Sequence, residues 1–290
     1  MQRQRVMTPR SPRAGLLNSG RRTLVSALVR IYGRMNRAGW LDHPVALSLF
    51  SRSYFAYKRI IEDPFYALTI RAPELFRGGD VLDVGANIGY TAVVFARALD
   101  PGRRVHAFEP EARNYRQLLD NIGRRGLRDR VHAEQLALGR TPGRVRLWVN
   151  MDHHGDHRVL TDAFAPPGPR NSVSVPMQSV DAYVAQAGIE SLSFFKLDVQ
   201  GYELPVLEGA ERTLAAQRDL VVAVEHCPGA ARELGFDPEA VLALLTRHGF
   251  RLHLFSETGR VAPVERSELE SLAGDDGYVN LLCARRPVAV

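Results

Sequence analysis

Four short apolar runs in this chain each end in a carboxylate: Val81-Leu82-Asp83, Val105-His106-Ala107-Phe108-Glu109, Phe194-Phe195-Lys196-Leu197-Asp198 and Leu220-Val221-Val222-Ala223-Val224-Glu225. Successive strand side chains point to opposite faces, so a near-continuous apolar strand needs cover on both sides, as in a parallel sheet. Helical patterns follow the runs at 91–96, 112–122 and 203–216, and further strands are expected at 131–138, 251–255 and 278–283. Alternating strand and helix predicts an α/β fold, a doubly wound, mostly parallel sheet of seven strands. Ligands of such sheets bind outside the carboxyl ends of the strands, where the chain order reverses. Asp83, Glu109, Asp198 and Glu225 would therefore converge on one site.

Charge divides the chain of 290 residues unevenly. Residues 1–41 carry nine arginines and no acid, while the remaining 29 basic residues face 32 acids, a balance of −3. Nucleic-acid enzymes carry their basic charge along the binding face, so a mildly acidic globular part argues against nucleic acid as substrate. Residues 1–20 read as a disordered basic arm, residues 21–75 as a helical extension and 76–290 as the ligand-binding domain. The arm could make peripheral contact with an anionic membrane. No run of 18 apolar residues predicts a transmembrane helix, and no secretory signal is evident. Two cysteines, Cys227 and Cys283, give no disulfide framework and fit a cytoplasmic setting.

Asp83-Val84-Gly85-Ala86-Asn87-Ile88-Gly89-Tyr90-Thr91 follows the first strand. Gly85 and Gly89 allow a tight turn and close approach to a ligand, and the next helix turns its partly positive N-terminus toward the same space. The spacing is G-x-x-x-G, not the G-x-G-x-x-G of dinucleotide enzymes, and no P-loop lysine follows. An acid at Asp83 repels pyrophosphate and welcomes a cation, as S-adenosylmethionine would bring with its ammonium and sulfonium. Glu109, twenty residues past Gly89, stands where a carboxylate accepts both hydrogen bonds of a ribose diol. In Lys196-Leu197-Asp198-Val199-Gln200-Gly201-Tyr202-Glu203, Asp198 ends a strand at the crevice, Gly201 permits a bend and Glu203 suits a helix start.

These motifs, with Ala107-Phe108-Glu109-Pro110, Ser179-Val180-Asp181 and Val206-Leu207-Glu208-Gly209-Ala210, resemble those of FkbM-type methyltransferases over about residues 78–227. The resemblance implies a class I, Rossmann-like S-adenosylmethionine fold and O-methylation of a sugar, glycan or natural-product hydroxyl. It maps Asp83, Gly85, Gly89 and Glu109 to the cofactor and Asp198 to the crevice, and Asn87 inside the same turn is expected at the cofactor with them. Many members of the family have Glu where this chain has Gln200.

Two histidines are candidates for the catalytic base alongside Asp198, since imidazole titrates near neutrality. His226 follows the strand-end Glu225, and His157 lies in the loop Asp152-His153-His154-Gly155-Asp156-His157-Arg158. That loop could take a divalent metal, but its spacing matches no zinc signature and no metal is predicted. Two other readings compete: a NAD-dependent oxidoreductase on a similar sheet, and a non-catalytic α/β scaffold recruited through its basic arm. The acceptor and the oligomeric state are not legible.

Overall fold

A computed structural model describes residues 53, 55, 64–150, 155–166, 171–273 and 277–288. The arm expected over 1–20 and most of the extension expected over 21–75 lie outside the described residues. The last part of that extension forms helix α1 (Pro64–Arg71) and a 3-10 turn, Pro73–Phe76.

In chain order the elements are β1 (Asp80–Val84), α2 (Tyr90–Ala98), β2 (Val105–Phe108), α3 (Ala112–Arg124), β3 (Val131–Glu134), β4 (Ala137–Leu138), β5 (Gly143–Trp148), β6 (Arg158–Val159) and β7 (Ser172–Gln178). They continue with α4 (Val180–Gln186), β8 (Leu192–Leu197), α5 (Glu203–Glu208), α6 (Glu211–Ala216), β9 (Val221–His226), α7 (Pro228–Glu233) and α8 (Pro238–Arg247). The last are β10 (Arg251–Phe255), β11 (Val261–Pro263), α9 (Arg266–Ala273) and β12 (Val279–Ala284). The main sheet runs β11-β10-β12-β9-β8-β1-β2-β3. Its strands from β9 to β3 are parallel, and β12, β10 and β11 pair antiparallel in turn.

Strand alternation splits the core between the two faces of this sheet. Leu82, Val84, Phe195, Leu197, Val222 and Val224 pack with α4, α5, α6 and α8. Val81, Val105, Ala107, Phe194 and Val221 pack on the opposite side with α1, α2 and α3. Helices on both faces confirm the doubly wound, mostly parallel α/β arrangement. The chain winds from β1 outward to β3 and returns to β8 on the other side of β1, so the order reverses between β1 and β8.

Three details differ from the sequence reading. The main sheet has eight strands where seven were expected, because the turn at Ser256–Arg260, with Gly259 at φ 73°, folds β11 back onto β10. The single strand expected at 131–138 is two, β3 in the main sheet and β4 in a second sheet of order β4-β7-β5-β6. The helix expected at 203–216 breaks at Gly209, where a Cβ would meet the Gly139 carbonyl oxygen at 2.1 Å. Beyond the break, the Asp181 carboxylate caps α6 by accepting the N–H groups of Arg212 (3.0 Å) and Thr213 (2.7 Å).

Candidate active site

The turn from β1 to α2 lies at the order reversal and is held from three sides. The N–H groups of Gly85 and Ala86 donate to the Phe108 carbonyl at 3.1 and 2.9 Å. Asn87 is left-handed, φ 50°, and its N–H donates to Glu109 Oε2 at 2.9 Å. Asn121 Nδ2 on α3 donates to the Ile88 carbonyl at 2.9 Å. Gly85 has φ 78°, and a Cβ there would lie 1.8 Å from the Asp198 carbonyl oxygen. The two signature turns, after β1 and after β8, therefore touch backbone to backbone.

Glu109, 5% exposed, accepts a second N–H, from Glu111, on Oε1 at 2.9 Å. Burial pushes its carboxyl up to about 8, against the two N–H donors that favour the ionised form. Both oxygens keep lone pairs for further donors.

Lys196 sits beside Asp83 on adjacent strands and is buried with it. Its Nζ donates to the Gly85 carbonyl at 3.0 Å and pairs with Asp83 Oδ1 (3.3 Å) and Asp198 Oδ2 (3.5 Å). Burial opposes the ammonium, but the carboxylates of Asp83 and Asp198 outweigh it and hold Lys196 above its ordinary value. Thr91 Oγ1 donates to Asp83 Oδ2 at 2.7 Å. Asp83 is thus the inner anchor of the lysine that fixes both turns.

The turn after β8 is stapled by Glu203, whose Oε1 accepts N–H groups from Val199 (3.1 Å) and Gly201 (3.2 Å). Those bonds sustain left-handed backbone at Gln200, φ 54°, a conformation that costs a non-glycine residue about 1 kcal/mol or more. Gln200 Nε2 donates to Asp198 Oδ1 (2.8 Å) and to Glu225 Oε2 (3.1 Å). Burial, then the negative charge of Asp198 and a hydrogen bond to it, raise the Glu225 carboxyl well above its ordinary value.

These groups open onto a cleft that is continuous with solvent. Gly85, Asn87, Glu109, Asp198 and Gln200 form its floor. The second sheet supplies an apolar roof, Leu138, Leu147 and Val159, with Tyr202 and His157 beside it. No arginine or lysine is among the described residues lining it.

Of the eight site residues expected from sequence, Gly85, Asn87, Glu109, Asp198 and His157 line this cleft, and Asp83, Gly89 and His226 do not. Asp83 stands behind Lys196, and Gly89 starts α2 against Leu118. His226 is buried at the end of β9 beside Val279, and burial lowers its pKa. Its neighbour Glu225 points the other way, toward Asp198. Glu225 meets Asp198 through Gln200, as its strand end led us to expect, whereas Gln200 and Tyr202 were quoted in the motif without a site role. The Asp152, His153 and His154 part of the loop lies outside the described residues. Among the described residues, no group of three or more His, Cys, Asp or Glu is arranged to hold a metal ion.

A doubly wound sheet with an acid-lined cleft at its order reversal defines a ligand-binding class of α/β protein. The comparisons narrow that class. Residues 83–252 match the methyltransferase FkbM domain, and this chain belongs to the FkbM methyltransferase family, with the class I sheet order. It is 29% identical over 223 residues to the 31-O-demethyl-FK506 methyltransferase FkbM of Streptomyces tacrolimicus, across 68% of this chain and 81% of that protein. It is 27% identical over 169 residues to the hexuronic acid methyltransferase AglP of Haloferax volcanii, across 58% of this chain and 62% of that protein. A solved FkbM methyltransferase from Methylobacillus flagellatus KT is 16% identical, with a TM-score of 0.46 over 79% of this chain and 50% of that one.

Proposed function

We propose that this methyltransferase is S-adenosylmethionine-dependent and methylates a hydroxyl oxygen of a sugar, glycan or natural product. The observation that carries the cofactor assignment is the charge of the cleft. In a chain with 36 arginines, the described lining offers carboxylates and no arginine or lysine. Pyrophosphate would meet Asp198 and Glu109 without a cation to pair with, which counts against a NAD-dependent oxidoreductase. A cofactor with a ribose diol, an ammonium and a sulfonium, and no phosphate, fits the same walls.

Glu109 would accept the two ribose hydroxyls, with Gly85 and Asn87 giving the close backbone floor beside them. Bound S-adenosylmethionine supplies an activated methyl carbon. The chain's own part is then to hold the acceptor oxygen in line with it, exclude water and take one proton, and positioning alone supplies a large share of such rates. The apolar roof would seat the acceptor's carbon skeleton, and Asp198 lies at the cleft beneath it. O-methylation is supported by the relatives named above, which by name act on 31-O-demethyl-FK506 and on a hexuronic acid. Cys227 and Cys283 are free thiols, and a cytoplasmic site of action is proposed with them. No helix among the described residues is long and apolar enough to cross a membrane.

The test is methyl transfer from isotopically labelled S-adenosylmethionine to a panel of sugars and hydroxylated natural products, read by mass spectrometry. Label on an acceptor oxygen is expected. Label on nitrogen or carbon would overturn the O-methyltransferase reading.

A further inference from the structure

His157 and His226 are the obvious bases for an acceptor hydroxyl, and the geometry removes both. His226 does not reach the cleft. His157 does, but its Nδ1 accepts the Asn150 N–H at 3.1 Å. In the neutral ring the proton must then sit on Nε2, which cannot take the acceptor's proton. The basic tautomer would leave Asn150 N–H facing another N–H.

The carboxyl groups are placed differently. Asp198 lines the cleft, its side chain 32% exposed, and one amide nitrogen of Gln200 grips both it and Glu225. Gln200 holds that grip from a left-handed backbone that Glu203 staples in place. One nitrogen gripping both carboxyls holds two like charges side by side in a partly buried setting, and two close carboxylates cannot both ionise readily. The charged and titratable groups around the pair are Lys196 and Asp83 on β8 and β1, Glu203 at the start of α5, and Cys227 after β9. Lys196, already paired with Asp83, is the cation beside the pair among these groups.

We propose that Asp198 and Glu225 act as one pair, bridged by Gln200 and sharing a single proton, and that this pair receives the acceptor's proton. This rests on the O-methyltransferase reading above. As the acceptor oxygen bonds to the methyl carbon, the carbon–sulfur bond breaks and its electron pair returns to sulfur. The O–H electron pair stays on oxygen, and the proton passes to Asp198, filling the pair. Asp198 is the catalytic residue and Glu225 a positioning residue that acts through it.

Infrared difference spectroscopy between pH 5 and 9 tests this on the full chain, with wild type compared to Glu225→Gln, Asp198→Asn and Glu109→Gln. S-adenosylhomocysteine binding by calorimetry is run on each as a check of fold and of the cofactor reading. The expected result is a carboxylic-acid band at pH 7 that is absent in Glu225→Gln and persists in Glu109→Gln, which removes only the separate band of Glu109 itself. In Asp198→Asn that band should titrate at lower pH, because the neighbouring charge is gone. No such band at pH 7, or a band indifferent to Asp198→Asn, would overturn the pair. A second band lost with Asp198→Asn at pH 7 would also overturn it, since a fully loaded pair cannot accept a proton. Expected bands without S-adenosylhomocysteine binding would sink the cofactor reading and leave the pair standing.

Discussion

Gly85→Ala tests the contact that joins the two signature turns. A residue with a side chain at φ 78° carries left-handed strain of about 1–2 kcal/mol. The added Cβ would also stand 1.8 Å from the Asp198 carbonyl oxygen, and that neighbour is backbone held by Val84, not a flexible side-chain end. Relieving it means moving the β8 turn by more than an ångström, at about 1–3 kcal/mol by analogy with overpacked cores. Gly102 and Gly78 are matched controls, with φ of 80° and 81° and nothing within 4 Å of a built Cβ. Urea unfolding of Gly85→Ala, Gly102→Ala and Gly78→Ala would separate the two costs. Gly85→Ala should lose roughly 2–5 kcal/mol and the controls about 1–2, against a total stability near 5–15 kcal/mol. The variant should also lose cofactor affinity, because Gly85 and Asp198 share the cleft floor. Equal losses at all three glycines would refute the account of the touching turns.

Other consequences concern charge. Glu109 and Glu203 are held above the ordinary carboxylate value, at about 8 and about 7, so the folded chain binds their protons more tightly than the unfolded chain. Their contribution is present below about pH 4.5 and is lost as pH rises through 7 and 8, on the order of a few kcal/mol. Denaturation of the ligand-free chain should therefore show Glu109→Gln losing less stability than wild type between pH 5.5 and 8.5; an unchanged slope would contradict the burial argument. Once an acceptor is known, Asp198→Asn should cut turnover by roughly 10²–10⁴ while His226→Asn changes it less than about tenfold. The reverse order would restore His226 as the base. Lys196→Met should destabilise the fold by about 3–5 kcal/mol, since it leaves buried Asp83 uncompensated. A melting temperature within a degree or two of wild type would contradict that pairing.

The parallel strands were legible because each is an apolar run with a charged end, and burial on both faces leaves no other pattern. The start of α8 is written locally in Asp237-Pro238, where Asp237 Oδ1 accepts the Glu239 N–H at 3.0 Å. The split of 131–138 was not, because Gln135 and Leu136 carry no turn signal and the second sheet draws Ala137 and Leu138 away from β3. Strand ends showed which acids approach the crevice, but not which face each side chain takes. His226 and Glu225 are neighbours with opposite directions, and only the register of β9 decides between them. Lys196 and Asp83 are 113 positions apart in the chain and meet only through the β1–β8 pairing. Gln200 as a bridge between two carboxyls has no sequence signal beyond its place in the motif.

Calorimetric titration of the wild type and Glu109→Ala with S-adenosylhomocysteine, with NAD as the parallel ligand, tests the central claim most directly. The account predicts binding of S-adenosylhomocysteine and none of NAD. Loss of the Glu109 carboxylate should weaken binding by roughly 2–4 kcal/mol, because the ribose hydroxyls lose their acceptors in a partly closed cleft. Preference for NAD, or an affinity indifferent to Glu109→Ala, would contradict it.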